Sequence, residues 1–410
     1  MRLLVITPHL SPDTAPTGVV VSRIVEEWGA AGHEVHVVTS LPWYREHRVE
    51  EEWRGRFVRR GREGSASVVR LLPFAGRKEN LAGRAFGFTA FSGAATLAAL
   101  LARGPFDAVM ALSPPLTLGP AGWLAARRHR CPLVLNVQDV FPDVAIEVGA
   151  VTSPRVIRLF RSLERFCYRR SDAVTVLSDD LAANVAAKLD GSSRDPLVRV
   201  IPNFVDTATI RPLDRDTRYR SELGLGDRTV VMYAGNLGHS QSLEIMVEAA
   251  RRHRDRDDIA YVVNGGGVAA AGLRRSAGEL PNLTVVGYQP AERVPEVLAT
   301  ADVHVVALRS GLSASSVPSK TYSILAAGRP LIASVDEGSE VARVVGEAGA
   351  GIAVPPEDAD AFVAAVEELA GDAGKRTSMG ASGRAWAERW ASPRSVAESH
   401  LRLVEELRSR

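Results

Sequence analysis

Short runs of β-branched and aliphatic residues alternate with helical stretches along this chain, and the alternation stops once and then starts again. The first series opens on Leu3-Leu4-Val5-Ile6, passes through the helical Val19 to Ala31 and returns with Glu34-Val35-His36-Val37-Val38. Such a pattern calls for parallel strands joined by crossover helices, because a parallel neighbour is reached only by carrying the chain back along the sheet. Further strands are read at Asp107 to Leu112, Pro132 to Gln138, Asp172 to Leu177 and Val198 to Pro202. A polar stretch rich in Asp and Arg, Asp206 to Asp227, reads as a linker. Strands then resume at Thr229 to Tyr233, Ala260 to Val263, Leu283 to Val286, Val303 to Leu308, Leu331 to Ser334 and Ile352 to Val354. The predicted fold is α/β: two Rossmann-like, doubly wound domains, 1–203 and 204–392, facing across a cleft. The spacing of Val396, Leu401, Leu403, Val404 and Leu407 predicts a closing amphipathic helix over 393–410.

A chain of 410 residues is long enough for two cores, and ligands favour the clefts between domains. Fifty basic residues against forty-eight acidic ones leave a formal charge of +2, so nothing in the overall charge calls for nucleic acid as a partner. Cys131 and Cys167 give neither a metal-ligand spacing nor a disulfide framework, which fits a reducing cytosol. No signal peptide is read ahead of the first strand. The uncharged run Ala85 to Ala102 is too rich in Ala, Gly, Ser and Thr for a membrane span and is expected to be a buried crossover helix.

In open parallel sheets ligands lie beyond the carboxyl ends of the strands. The first such loop runs from Thr7 through Thr17 to Gly18, where a helix is expected to begin with backbone N–H groups free to meet a phosphate. In the second half, Ala234-Gly235-Asn236-Leu237-Gly238-His239-Ser240-Gln241-Ser242 opens into a helix and suits a pyrophosphate. A third loop, Gly311 to Tyr322, brings Ser319-Lys320 to a helix start, and Lys320 is the foremost phosphate ligand by residue type and place. In the first half, Asp139 and Asp143 follow an apolar strand. Asp139 can orient a hydroxyl or act as a base, while Asp143 reads as a helix-start residue.

Other patterns carry less. Asn264-Gly265-Gly266-Gly267-Val268-Ala269-Ala270 fits G-x-G-x-x-A, but it follows the second strand of its domain and no acidic group stands about twenty residues on. A tight strand-to-helix turn is the preferred reading. Asp214-Arg215-Asp216 and Asp255-Arg256-Asp257 match D-x-D yet do not end strands, and read as solvated. No metal site is expected. The locally basic Arg45 to Arg84, with Arg77, Lys78, Trp43, Tyr44, Trp53 and Phe74, suits either a solvated face or peripheral contact with anionic lipid.

These pieces in this order resemble glycosyltransferase family 4, of the GT-B fold, and within it bacterial exopolysaccharide and colanic-acid-type enzymes. The resemblance rests on Gly32-His33-Glu34-Val35-His36-Val37-Val38-Thr39, Gln138-Asp139-Val140-Phe141-Pro142-Asp143, Ser171 to Ser178 and Val200 to Asp206. The second half adds Tyr233 to Gly238, Pro318-Ser319-Lys320 and Leu325 to Pro330. It implies a retaining, metal-independent transferase without a resident cofactor, of hexosyl or N-acetylhexosaminyl type, moving a sugar from a UDP-linked nucleotide sugar to a saccharide or lipid-linked saccharide acceptor. The implied setting is cytoplasmic, at most peripheral at the inner membrane face. The implied donor residues are Gly235, Asn236, Leu237, Gly238, Gln241, Ser319, Lys320 and Ser323 near the phosphates and ribose, Gly287 and Tyr288 near the base, and Thr17 and Gly18 from the first domain. Asp139, Gln138 and Lys320 are the implied catalytic residues, and the final helix is implied to return to the first domain. The chain departs from the family at Asn236 and Gln241-Ser242, where Arg and Lys-Gly are usual, at Ser315 and Ser323, where paired glutamates are usual, and at Gln138, where His is common. A nucleotide-sugar 2-epimerase and a nucleotide-sugar-binding pseudoenzyme are the alternatives.

Overall fold

The computed structural model describes residues 1–44, 48–73, 81–189, 191 and 195–410. It divides into two compact units, Met1–Asn203 with Pro393–Arg410, and Phe204–Ser392. The first unit runs β1 (Arg2–Ile6), α1 (Pro16–Ala30), β2 (Glu34–Ser40), β3 (Val58–Glu63), β4 (Ala66–Leu71), α2 (Leu81–Leu100), β5 (Ala108–Ser113) and α3 (Leu118–His129). It continues with β6 (Leu133–Val137), α4 (Asp143–Glu147), α5 (Pro154–Arg170), β7 (Ala173–Val176), α6 (Asp179–Ala187) and β8 (Leu197–Val200). Among the described residues its sheet has the order β3-β4-β2-β1-β5-β6-β7-β8, parallel except for the β3–β4 pair. Strand order reverses at β1 and β5, so the loops after these two strands flank the crevice where ligands of such sheets lie.

The second unit runs α7 (Arg218–Glu222), β9 (Thr229–Asn236), α8 (Glu244–Arg252), β10 (Ile259–Gly266), α9 (Ala270–Ala277), β11 (Leu283–Val286) and α10 (Val294–Thr300). Then come β12 (Val303–Ala307), α11 (Lys320–Ala326), β13 (Leu331–Ser334), α12 (Glu340–Ala348), β14 (Gly351–Val354), α13 (Ala359–Gly371) and α14 (Ala373–Arg389). Its sheet is parallel in the order β11-β10-β9-β12-β13-β14, with the reversal at β9 and β12. Val231, Val263, Val305 and Ile332 are fully buried in the strands, as residues of a sheet covered on both faces must be. The last helix, α15 (Pro393–Ser409), packs on α1 in the first unit. There the buried Trp28 indole N–H donates to the Ala397 carbonyl at 2.9 Å.

Three expectations need correction. The basic stretch is not merely a charged face: residues 58–71 form the antiparallel β3–β4 hairpin that ends the sheet. The exposed arginines of β3 blunt an open edge against pairing with another chain, and Arg59 lies over Trp53 at 4.2 Å. Arg45, Phe74, Arg77 and Lys78 lie outside the described residues. The 206–227 stretch is not a plain linker, because Tyr219 and Leu225 join a core with Val230, Met232 and Val262. The Arg220 guanidinium is buried there, donating to the carbonyls of Gly226 and Thr300 at 2.8 Å each and to Asp302 at 3.3 Å. A buried charge needs that many partners. Finally, α1 starts at Pro16, so Thr17 and Gly18 lie inside its first turn instead of before it. Residues 81–100 form α2, which packs on α3, and no helix among the described residues is long and apolar enough to cross a membrane.

Candidate functional site

In the second unit β9 and β10 end side by side, with Gly235 opposite Gly265 and Asn236 opposite Gly266. A Cβ on Gly265 would stand 1.8 Å from the Gly235 carbonyl oxygen, and one on Gly267 would stand 2.3 Å from that of Leu237. The G-x-G-x-x-A stretch therefore serves the close approach of two strand ends, as the tight-turn reading expects. Leu237 is corrected as a ligand contact. Its side chain is fully buried, its N–H donates to Gly266 O, and its carbonyl accepts the Ala269 N–H, both at 3.0 Å. What the loop offers outward is Asn236, Gly238 and Gln241. The Gln241 Oε1 accepts the Gly238 N–H at 3.0 Å, and Asn236 Nδ2 lies beside the same glycine. Tyr288 is exposed, and its hydroxyl reaches the Gly266 carbonyl at 3.0 Å, so its ring lies over the same strand end. Gly287, beside it, is exposed with open space around its Cα.

Lys320 begins α11 and reaches back to this loop. Its ammonium donates to the Tyr233 hydroxyl and stands 3.6 Å from the centre of that ring, and a Cβ on Gly235 would meet it at 3.1 Å. Tyr233 is fully buried. Its hydroxyl, pushed up by burial, donates in turn to the Asn236 carbonyl at 2.6 Å. Burial pulls the Lys320 pKa down to about 7, and no carboxylate among the described residues offsets it. A desolvated cation with no counter-charge, beside a glycine turn, is an arrangement that an anion would complete. Ser319 is the exposed cap position, with no side-chain cap bond, and Ser323 is half-buried one turn on. Ser315 is fully buried and donates to Leu312 O at 3.1 Å, so this position faces a turn of its own loop.

Two groups here escape a reading of loops one at a time. Arg309, after β12, donates to the His239 carbonyl at 2.7 Å and lies 3.8 Å from Glu244 and 3.7 Å from Glu357, bringing a guanidinium to a loop that has no Arg or Lys of its own. Asp336, after β13, ties down the third loop by accepting from the Gly311 N–H and the Ser313 hydroxyl, both at 2.9 Å. Its carboxylate holds a loop in place.

In the first unit the loop after β1 folds over the start of α1, and a Cβ on Gly18 would meet the His9 Cβ at 2.9 Å. The buried His9 Nδ1 and Asp13 Oδ2 are 2.7 Å apart. The His9 ring lies between Trp43 and Tyr44, with centroids at 5.4 and 5.5 Å. The signal for this pair is H-x-x-x-D beyond the first strand with Trp-Tyr beyond the second, a pattern that the glycine of the same loop overshadows in the sequence. Gln138 is buried between two amides: its Nε2 donates to Asn136 Oδ1 at 2.6 Å and its Oε1 accepts from Asn203 at 3.0 Å. Asn136 continues the chain to Thr175 at 3.0 Å. Both ends of the Gln138 amide are engaged, which makes it a positioning residue for the half-buried Asp139 that follows. Asp143 opens α4 and pairs with Lys188 at 2.6 Å.

Comparison with known proteins bears on both units. Residues 17–203 match the model of the Glycosyl transferase 4-like domain, and residues 228–372 that of the Glycosyl transferases group 1. The putative colanic acid biosynthesis glycosyl transferase WcaI of Escherichia coli (strain K12) is 27% identical over 378 residues, covering 90% of this chain and 92% of that protein. Among solved structures, sucrose-phosphate synthase from Thermosynechococcus elongatus has a TM-score of 0.76 at 18% identity over 99% of both chains. HepE of Anabaena in complex with UDP-glucose has a TM-score of 0.72 at 14% identity, covering 99% of this chain and 100% of that one. At such identities the structural likeness speaks for the fold.

Proposed function

Because the chain belongs to the family 4 glycosyltransferases of GT-B fold, we propose that it is a retaining, metal-independent enzyme of polysaccharide synthesis that takes its sugar from a nucleotide sugar, UDP-linked, and passes it to a saccharide or lipid-linked saccharide. Lys320 carries the reading. A cation held near neutrality by desolvation, within reach of the Gly235 turn, gains its proton and its counter-charge together when a pyrophosphate arrives. HepE, a protein of the same fold, binds UDP-glucose, and this supports a UDP-linked donor here.

The second unit would hold the diphosphate at Gly238, Asn236 and Lys320, with the base on the Tyr288 ring. The anomeric carbon–phosphate oxygen bond breaks and an acceptor oxygen bonds to that carbon on the same face. The acceptor proton passes to the departing phosphate oxygen. Negative charge grows on the leaving diphosphate, where a preorganised cation and backbone N–H groups lower the barrier. Asp139 would orient the acceptor hydroxyl from the loop that Gln138 steadies, and no side chain serves as a covalent nucleophile.

Thermal shift against UDP-, GDP-, TDP- and ADP-sugars tests this. One nucleotide class should stabilise the wild type and lose its effect in Lys320→Ala. No shift with any class at millimolar concentration sinks the donor site. Ser315 and Ser323, where carboxylates are usual, favour one other reading, a pseudoenzyme that binds without turnover. Binding without release of free nucleotide diphosphate, across a panel of acceptors, would select it.

A further inference from the structure

We propose that the outer face of α5, together with the adjoining face of α3, docks this protein on an anionic lipid bilayer. The helix carries six arginines against one glutamate. At about 100° per residue, Arg155, Arg158, Arg161 and Arg165 share one exposed strip. Glu164 is buried, paired with Lys188 at 2.6 Å and accepting from Tyr168 at 2.9 Å, so it does not neutralise that strip. Among the described residues none of those four arginines forms an ion pair. Along the flank of the strip Leu159 is 67% exposed and Val156 39%.

The surface continues onto α3. Phe166 packs on Trp123 at 5.4 Å, Arg170 and Arg127 lie over the Trp123 ring at 5.4 and 5.7 Å, and Leu124 is exposed beside them. A cavity of about 680 Å3 opens next to Trp123, lined by Arg127, Arg130 and Arg170, with room for a phosphate headgroup. Its two carboxylates are engaged, Asp107 by Arg408 at 2.9 Å and Asp172 by the Leu133 N–H at 2.8 Å.

Arginine donors over bare leucine and valine match a surface of phosphates over acyl chains. A polyanion such as RNA would match the arginines and leave the apolar flank of Leu159 and Val156 in water. Crossover helices run against their strands, so the Arg155–Leu159 turn lies at the same sheet edge as the His9 and Asp139 loops. A lipid-linked acceptor held at the bilayer is thereby brought to the edge where the proposed chemistry takes place. That purpose rests on the proposed function, whereas the docking itself does not.

The test is flotation of the full chain with vesicles of phosphatidylcholine, with or without phosphatidylglycerol. Binding should require phosphatidylglycerol and weaken with salt. Arg155→Gln with Arg158→Gln should lower the partition coefficient by roughly twentyfold. Leu159→Ser should lower it several-fold at any salt, and Arg251→Gln, a like change on α8, should leave it unaltered. Equal partition of the double variant, equal binding to pure phosphatidylcholine, or a stronger grip on an RNA oligonucleotide than on the vesicles would overturn the proposal. Circular dichroism and the nucleotide-sugar thermal shift, run on the same variants, separate a folding defect or a failed donor site from failed docking.

Discussion

The carboxyl edges of the two sheets solve the problem of holding a loop in opposite ways. At the edge of the first unit, side chains do the holding: His9 with Asp13, and Thr175, Asn136, Gln138 and Asn203 in a hydrogen-bonded file. At the edge of the second, the strand ends meet backbone to backbone across glycines, and Lys320 and Arg309 reach in from other loops. A side-chain network fixes directions, which suits the orientation of a hydroxyl. A glycine turn exposes N–H groups and tolerates close approach, which suits a diphosphate.

That contrast can be broken first where it is sharpest. Gly265→Ala places a methyl 1.8 Å from a carbonyl oxygen, at a φ of +158°, and should cost about 4 kcal/mol, lowering the melting temperature on the order of 10 °C. A loss under about 1 kcal/mol would mean that the strand ends can part. Lys320→Met should weaken nucleotide-sugar binding about a hundredfold, as calorimetry would register. Because the Lys320 pKa is about 7 without ligand, wild-type binding at pH 8 should take up about one proton, and affinity should fall by up to tenfold per pH unit above 7. The unfolded lysine keeps its proton up to its ordinary pKa of 10.5. The ligand-free wild type should therefore gain stability as pH rises from 7 towards 10, and Lys320→Met, which ought to be the more stable protein at pH 7, should lose that slope. A flat profile in the wild type would show a lysine that keeps its ordinary pKa in the folded chain.

On the side-chain edge the effects are smaller. Gln138→Ala strands two buried amides and should cost about 2 kcal/mol in a urea titration. Gly18→Ala meets the His9 Cβ at 2.9 Å and the His9 backbone at 3.3 Å, a milder approach that a small loop shift can relieve, and should cost about 1 kcal/mol. If Gly18→Ala proved as damaging as Gly265→Ala, the loop after β1 would be as rigid as the glycine turn and the contrast would fail.

The central strands were legible because they are buried on both faces and read as unbroken apolar runs: β13, buried at every residue, begins and ends where the sequence places it, and the partly buried edge strand β11 does so too. The hairpin β3–β4 was not, since Val58-Arg59-Arg60-Gly61-Arg62-Glu63 is an edge strand whose charge hides its conformation. The stretch that holds Arg220 reads as linker because composition is blind to carbonyls that converge on a guanidinium from distant segments. Lys320 was legible from its place at a helix start, but its partner Tyr233 was not. A tyrosine at the end of a buried strand looks like any other core residue until the neighbouring loop folds back on it.

The return of α15 to the first unit also orders events during synthesis. The chain leaves that unit at Asn203 and comes back only at Pro393, so the ribosome has completed every residue of the second unit before the last helix of the first emerges. Until then the Trp28 indole has neither its hydrogen-bond acceptor on Ala397 nor the His400 ring that stands edge-on to it at 6.2 Å. The second unit, contiguous in sequence, can close as soon as it is made. The unit that begins first is the one that finishes folding last.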